Sequence, residues 1–156
     1  MTFNRLKAVE YAQTWALSRN PKYKAFDKLG GDCTNYISQC MFAGGIEMTV
    51  KQNGWFYHSL ASRAPAWTGV NEFFAFAISN KSQGLKCKIG NLNNCNVGDV
   101  VQFEKNGKYF HSAIITKVIN SSLPEGVLVC AHDNNALNRR LSTYAYHSLR
   151  ILNIFV

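Results

Sequence analysis

The sequence predicts an α+β domain in which N-terminal helices pack on a C-terminal antiparallel β-sheet. Three observations carry that expectation. Apolar residues recur at helical spacing between Leu6 and Ser79, turn-bounded β-type runs fill the remainder, and Asn106-Gly107 separates two of those runs as a two-residue hairpin signal. Helices first and strands after is the order of an α+β layout rather than of alternating βαβ units.

The first helix is read from Ala8, Tyr11, Ala12, Trp15 and Ala16, which share one face, with Lys7, Glu10, Gln13 and Arg19 elsewhere. Asn20-Pro21 ends it, because the residue before a proline is driven out of the α region. Asp32 is expected to cap a second helix, whose apolar rhythm runs through Cys33, Tyr36, Ile37, Cys40 and Met41 until Gly44-Gly45 stops it. Thr68 or Asn71 would cap a third helix over NEFFAFAIS. Asn96-Val97-Gly98-Asp99 is a turn that leads into the strand Val100-Val101-Gln102-Phe103. KYFHSAIITKVI, GVLVCAH and LRILNIFV supply three further strands, while KCKIGNLNNC is read as a loop.

The chain has 156 residues, 47% of them hydrophobic and 13% aromatic, enough apolar material for one packed core, so a single domain over residues 1–156 is expected. Lys and Arg number 17 against 9 Asp and Glu, a net charge of +8, which draws polyanions toward the surface. The basic residues are scattered, with Lys22, Lys24 and Lys28 in one loose group, Lys81, Lys86 and Lys88 in another, and the pair Arg139-Arg140. No basic arm or Lys/Arg-rich helix is present, so no specific nucleic-acid partner is expected.

The N-terminal stretch carries Arg5, Lys7 and Glu10 where a signal peptide would be continuously apolar, so no cleavable leader and no transmembrane segment is expected. Five cysteines leave at least one unpaired, and Cys87 and Cys95 are spaced so that a disulfide is open to them. There is no CxxC pair, and neither a metal nor a cofactor is expected.

The chemistry centres on GGDCTNYISQC, residues 30–40. A cysteine in the first turn of a helix meets unsatisfied amides and the positive end of the macrodipole, which favour thiolate. Cys33 occupies that position, although an isolated cysteine at a helix start is more often a small buried hydrophobe. A nucleophilic thiol needs a base, and His111, at the edge of its strand, is the histidine placed to reach a helix N-terminus packed against the sheet. A third polar group should hold the imidazole from a neighbouring strand. His132 is the first choice because alternation puts it on the face of Leu128 and Cys130; Asn134 shares that face, and a bulge would bring in Asp133, which otherwise points away. Trp55, Tyr57 and Trp67 are candidates for a substrate groove wall, with ordinary core packing the alternative for each.

The order Cys, His, polar orienter, with the nucleophile on a helix and the other two on a sheet, is a papain-like arrangement. GGDCTNYISQCMFAGG, the Trp55 to Trp67 segment ending in WTGVNEFF, VGDVVQF, HSAIIT and AHDNNALNRRLS together resemble the putative amidase domain family of bacteria, a branch of the NlpC-like cysteine peptidases and amidases. The resemblance runs from about Leu6 to Leu152. It implies a papain-like, NlpC-type fold and a thiol hydrolase of amide bonds, typically in peptidoglycan stem peptides. It gives Cys33 the role of nucleophile, His111 that of general base and then acid, and His132 that of orienter.

A wall hydrolase of this kind is expected to be a monomer that acts outside the producer's cytoplasm, as an antibacterial effector, a lysin or a piece of a longer enzyme. An effector setting would add a cognate immunity protein as a partner. The competing expectations are a protease or isopeptidase acting on host proteins, and a non-catalytic module that binds an anionic polymer through the basic surface.

Overall fold

The computed structural model describes residues 2–156. Four helices come first: α1 (Arg5–Trp15), α2 (Cys33–Ala43), the single-turn α3 (Pro65–Thr68) and α4 (Val70–Ser79). Six strands follow, β1 (Lys86–Gly90), β2 (Val100–Lys105), β3 (Lys108–Val118), β4 (Val127–Ala131), β5 (Ala136–Arg140) and β6 (Ser148–Phe155), in one antiparallel sheet of order β1-β6-β2-β3-β4-β5. The α+β expectation holds. β1 stands where KCKIGNLNNC suggests a loop, and β5 and α3 are elements beyond those the sequence pattern predicts. Cys87 and Cys95 remain free thiols.

α1 begins where Asn4 accepts a hydrogen bond from the Lys7 amide at 3.0 Å, the usual side-chain cap. Arg5, one residue on, ties the helix to the sheet by bonding Asp99 Oδ1 at 2.7 Å, the Val97 carbonyl at 2.9 Å and the Ile154 carbonyl at 2.6 Å. α4 starts at Gly69 with no side-chain cap, so neither Thr68 nor Asn71 plays the part expected of it.

α2 is buried on every side from Cys33 to Met41. Its polar side chains are tolerated there because each has a partner, as buried polar groups require. Asn35 donates to the Lys24 carbonyl and to Asp32 Oδ1 and accepts from Trp67 Nε1; Ser38 donates to the Trp67 carbonyl and accepts from Trp55 Nε1; Gln39 accepts from the Tyr11 hydroxyl. These bonds fix the helix about its axis, and with it the direction in which Cys33 points.

The main core lies between the helices and one face of the sheet, around Tyr36, Ile37, Met41, Trp55, Trp67, Phe73, Val100 and Ile114. Val101, Phe103, Ala113, Ile115 and Val129 face the other way and are covered by Leu141, Tyr144 and Tyr146 from the segment before β6. Trp55 and Trp67 are fully buried and Tyr57 nearly so, which makes all three core residues rather than groove walls. Their polar atoms are used internally: Tyr57 accepts the Lys24 amide, and both indoles donate to α2.

The β2–β3 hairpin turns at Asn106 (φ 53°) and Gly107 (φ 80°), the two left-handed residues that a tight hairpin of matching twist demands. Past the turn, Glu104 pairs with Tyr109 but Phe103 pairs with His111, so Phe110 is an extra residue on β3. This bulge shifts the alternation of β3 by one at His111. His111 therefore sits inside a strand, as its fourth residue, and not at the strand edge the sequence suggested.

Candidate active site

Three side chains from three elements converge at the N-terminus of α2. The Cys33 sulfur, a ring nitrogen of His111 and a carboxylate oxygen of Asp133 all lie within 4.8 Å of one another. Cys33 is supplied by the first turn of α2, His111 by the bulged β3, and Asp133 by the turn between β4 and β5.

Asp133 reaches this point through its backbone. Asp133 (φ 61°) and Asn134 (φ 68°) are both left-handed, which reverses the chain directly after β4 and breaks the strand alternation that would have aimed Asp133 away. Its Oδ1 accepts the Asp32 amide at 2.7 Å and its Oδ2 the Cys33 amide at 3.2 Å. A carboxylate on the first amides of a helix is the favourable placement for negative charge. It needs Gly31: a Cβ built there would stand 2.6 Å from Asp133 Oδ2, and Gly31 itself has a φ of 106°. The glycine permits both the backbone conformation and the close approach.

His132, the expected orienter, is turned the other way. It is 1% exposed, stacks on Tyr36 with ring centroids 4.0 Å apart, and makes hydrogen bonds from Nδ1 to Asp32 Oδ2 at 2.5 Å and from Nε2 to the Trp15 carbonyl at 2.7 Å. Because a carbonyl can only accept, the contact to Trp15 is a donation from Nε2, and Nδ1 faces the Asp32 carboxyl. His132 and Asp32 thus form a buried, hydrogen-bonded pair behind the site. Alternation did put His132 on the core face with Cys130, but that face leads to Tyr36 and α1, not to His111. Asn134, the other alternative, is exposed and borders the cleft described below.

Asp32 is the N-terminal flanking residue of α2, yet its side chain makes no bond to the amides of that helix. One oxygen accepts the Phe26 amide at 2.7 Å and Asn35 Nδ2 at 2.9 Å, and the other faces His132, with Arg19 Nε at 3.4 Å. The cap expected of Asp32 is provided by Asp133. For the same reason the Cys33 amide, which at an open helix terminus would be free, is held by the Asp133 carboxylate.

The electrostatics differ from those of an open helix terminus. Burial, followed by the negative charge of Asp133, pushes the Cys33 thiol up to about 11, while the Ser112 backbone and the Thr34 hydroxyl act in the opposite sense. Burial holds the His111 imidazole below its ordinary range; Asp133 pulls it upward and Arg139 downward. Burial thus favours the neutral form of both thiol and imidazole. Thiol, imidazole and carboxylate are also donor types found around zinc, so the three atoms could close on such a cation.

A cleft of about 330 Å³ opens beside the triad, lined by His111 and Asp133 together with Phe110, Arg139 and Tyr144. Phe110 is 48% exposed. Sequence reasoning missed Phe110 and Tyr144 as wall residues: the signal for the first is the hairpin bulge, invisible in a pattern of residue types, and the second lies in a segment outside any regular strand. Of the scattered basic residues, Arg139 lines this cleft, a position that nothing in the Arg139-Arg140 pair signals. A separate cleft of about 310 Å³, walled by Pro65, Ala66, Ala75 and Phe76, contains none of the candidate residues.

Among known proteins, two from Bacillus subtilis (strain 168) are similar to this chain. One carries the name Uncharacterized protein YhbB and is 33% identical over 128 residues, covering 78% of the present chain and 40% of its own. The other, Uncharacterized protein YjcM, is 29% identical over 143 residues, covering 84% of this chain and 31% of its own. The chain thus spans less than half the length of these relatives. No solved structure matches it. The model of the family described as "Putative amidase domain" matches residues 2–154, the stretch that contains α2, the bulged β3 and the β4–β5 turn, and the chain belongs to that family.

Proposed function

We propose that this chain is a cysteine-dependent amide hydrolase of papain-like type, with Cys33 as nucleophile, His111 as base and then acid, and Asp133 as the third member. One observation carries the reading: the sulfur, imidazole and carboxylate come together within 4.8 Å from three separate elements, inside a domain of an amidase family.

In the first step the thiol proton passes to His111 as sulfur attacks the carbonyl carbon, forming the C–S bond. The Asp133 carboxylate stabilises the imidazolium so formed, a role its charge suits better than a tautomer-fixing one. Collapse of the tetrahedral species breaks the C–N bond, and the imidazolium proton leaves with the amine. Water then attacks the thioester with His111 taking its proton; the C–S bond breaks, the acid departs and the thiol regains its proton. The Cys33 amide can serve the oxyanion once Asp133 releases it.

The substrate class proposed is the peptidoglycan stem peptide, supported by the amidase family and by a net charge of +8 that favours anionic wall polymer. The test is digestion of purified sacculi followed by mass analysis of the soluble products. Release of new amines or muropeptides by the native protein and not by Cys33→Ala is expected; no release at high enzyme load removes the wall substrate, and equal release by Cys33→Ala removes the thiol mechanism. The 5% exposure of Cys33 favours one alternative, a silent module that binds an anionic polymer. Equal and slow alkylation of all five cysteines would support that alternative.

A further inference from the structure

The cleft beside His111 holds a cation that no carboxylate pairs with among the described residues. Arg139, half-buried on β5, lies with its guanidinium 3.9 Å from the Tyr144 ring centroid. Its Nε donates to Thr143 Oγ1 at 2.7 Å and its Nη2 to the Thr143 carbonyl at 2.7 Å. Both bonds use one edge of the guanidinium and go to neutral acceptors. The Nη1–Nη2 end has no partner on Nη1, and among the described residues no carboxylate lies within ion-pair distance of Arg139. Asp133 is in the same cleft, but its oxygens accept the Asp32 and Cys33 amides and neither pairs with Arg139. A planar fork held rigid by an aromatic ring and a backbone carbonyl, with one end unfilled, fits a two-oxygen anion.

The side of the scissile bond follows from the lining. The cleft that contains Arg139 is bordered by His111, and Cys33 is not among its walls. In the mechanism proposed above, His111 is the group that hands a proton to the departing amine, so the leaving group lies on its side of the sulfur. We infer that Arg139 binds a carboxylate on the leaving-amine portion of the substrate, which makes the preferred substrates amides whose released amine is an amino acid or peptide with a free carboxylate close to its nitrogen. This rests on the thiol-hydrolase reading and adds to it the charge and position of the group recognised. Phe110 and Tyr144 supply apolar walls for the carbon skeleton that joins the nitrogen to the carboxylate.

The first test needs no known substrate. A series of haloacetyl glycine peptides of increasing length, each ending in either a carboxylate or a carboxamide, alkylates Cys33 by displacement of halide, and peptide mass analysis gives the rate at that residue. The carboxylate-to-carboxamide rate ratio should be highest at one length in the native protein. It should fall by about threefold or more in Arg139→Gln, with Arg139→Lys between the two because it keeps the charge and loses the fork. Thermal unfolding of each variant checks that it folds. A ratio unaffected by Arg139→Gln at every length overturns the inference. A Cys33 that no reagent alkylates in the folded protein instead brings down the thiol-hydrolase reading and the inference with it.

The second test uses paired peptides that differ only in a carboxylate or carboxamide on the leaving-amine residue, and a matched pair with the same change on the acyl side. Native protein should prefer the carboxylate on the leaving side, Arg139→Gln should lose that preference through KM more than kcat, and the acyl-side pair should respond to neither. Preference confined to the acyl side overturns the assignment of the subsite while leaving Cys33-dependent hydrolysis in place.

Discussion

Replacing Asp133 with Asn should speed alkylation of Cys33 and slow turnover, two effects of opposite sign from one change. The carboxylate lies within 4.8 Å of the sulfur, and it is the second cause, after burial, of a thiol pushed up to about 11. At 4.8 Å the repulsion between a carboxylate and a thiolate is about 0.9 kcal/mol with water-like screening and about 3.5 kcal/mol at an effective dielectric constant of about 20. Asp133 is half-buried, so the answer falls between these limits. Removing it raises the thiolate fraction near neutral pH by about fourfold at the least. A thiolate of lower basicity is also a poorer nucleophile, which cancels roughly half of that gain on a logarithmic scale and leaves about twofold or more in the alkylation rate. Turnover should fall by about tenfold or more, because the imidazolium formed during attack loses its counter-charge. The assay is iodoacetamide labelling at pH 7 read by peptide mass, alongside hydrolysis of the sacculus or peptide substrate. Unchanged or slower labelling, or undiminished turnover, refutes the roles given to Asp133.

Gly31→Ala should lower both stability and activity, since the new methyl would stand 2.6 Å from Asp133 Oδ2 at a residue whose φ is 106°; a thermal melt and kcat/KM that both match the native protein would contradict this. His132→Ala removes one half of a buried, hydrogen-bonded pair and should cost about 3 to 5 kcal/mol in chemical denaturation, with Arg19 alone left beside that oxygen of Asp32. Because burial lowers the His111 pKa, the acid limb of kcat/KM should lie below pH 6.5, the ordinary histidine value; a limb at or above that value is inconsistent with the buried base. Stability has the same sign: the neutral folded His111 contributes above the unfolded value of about 6.5 and that contribution is lost as pH falls, so His111→Gln should flatten the acid side of a stability profile.

The residue types at this site were easier to read than their directions. Cys33 and His111 were found because a thiol at a helix start and a histidine after a hairpin are features of composition and spacing. The choice between His132 and Asp133 turned on which of two adjacent residues faces the helix, and alternation answers that only while the strand continues. Here β4 ends at Ala131, and after His132 come left-handed Asp133 and Asn134, so the rule lapsed before it was needed. The bulge at Phe110 had the same effect on β3, moving the position of His111 relative to the turn that located it. The aromatic residues misled for another reason: an indole on a groove wall and an indole donating to a buried serine look alike in sequence, and it was the polar residues of α2, Asn35 and Ser38, that drew Trp67 and Trp55 inward. The strand β5 escaped notice because ALNRR carries mostly polar residues at a sheet edge, where one face and one side are solvated.

The neighbours His132 and Asp133 hold the start of α2 in two different ways, one through the side chain of Asp32 and the other through the amides of Asp32 and Cys33. The tip of the β4–β5 hairpin and the first turn of α2 are therefore coupled in any local unfolding event. The Cys33 amide can exchange its hydrogen with solvent only when the hairpin tip lifts, and the same motion frees that amide and relieves the thiol of its neighbouring charge. Hydrogen exchange at Cys33 thus counts the excursions in which the resting triad comes apart, and a ligand that takes the place of the Asp133 carboxylate on those two amides would register as a change in that rate before any bond is broken.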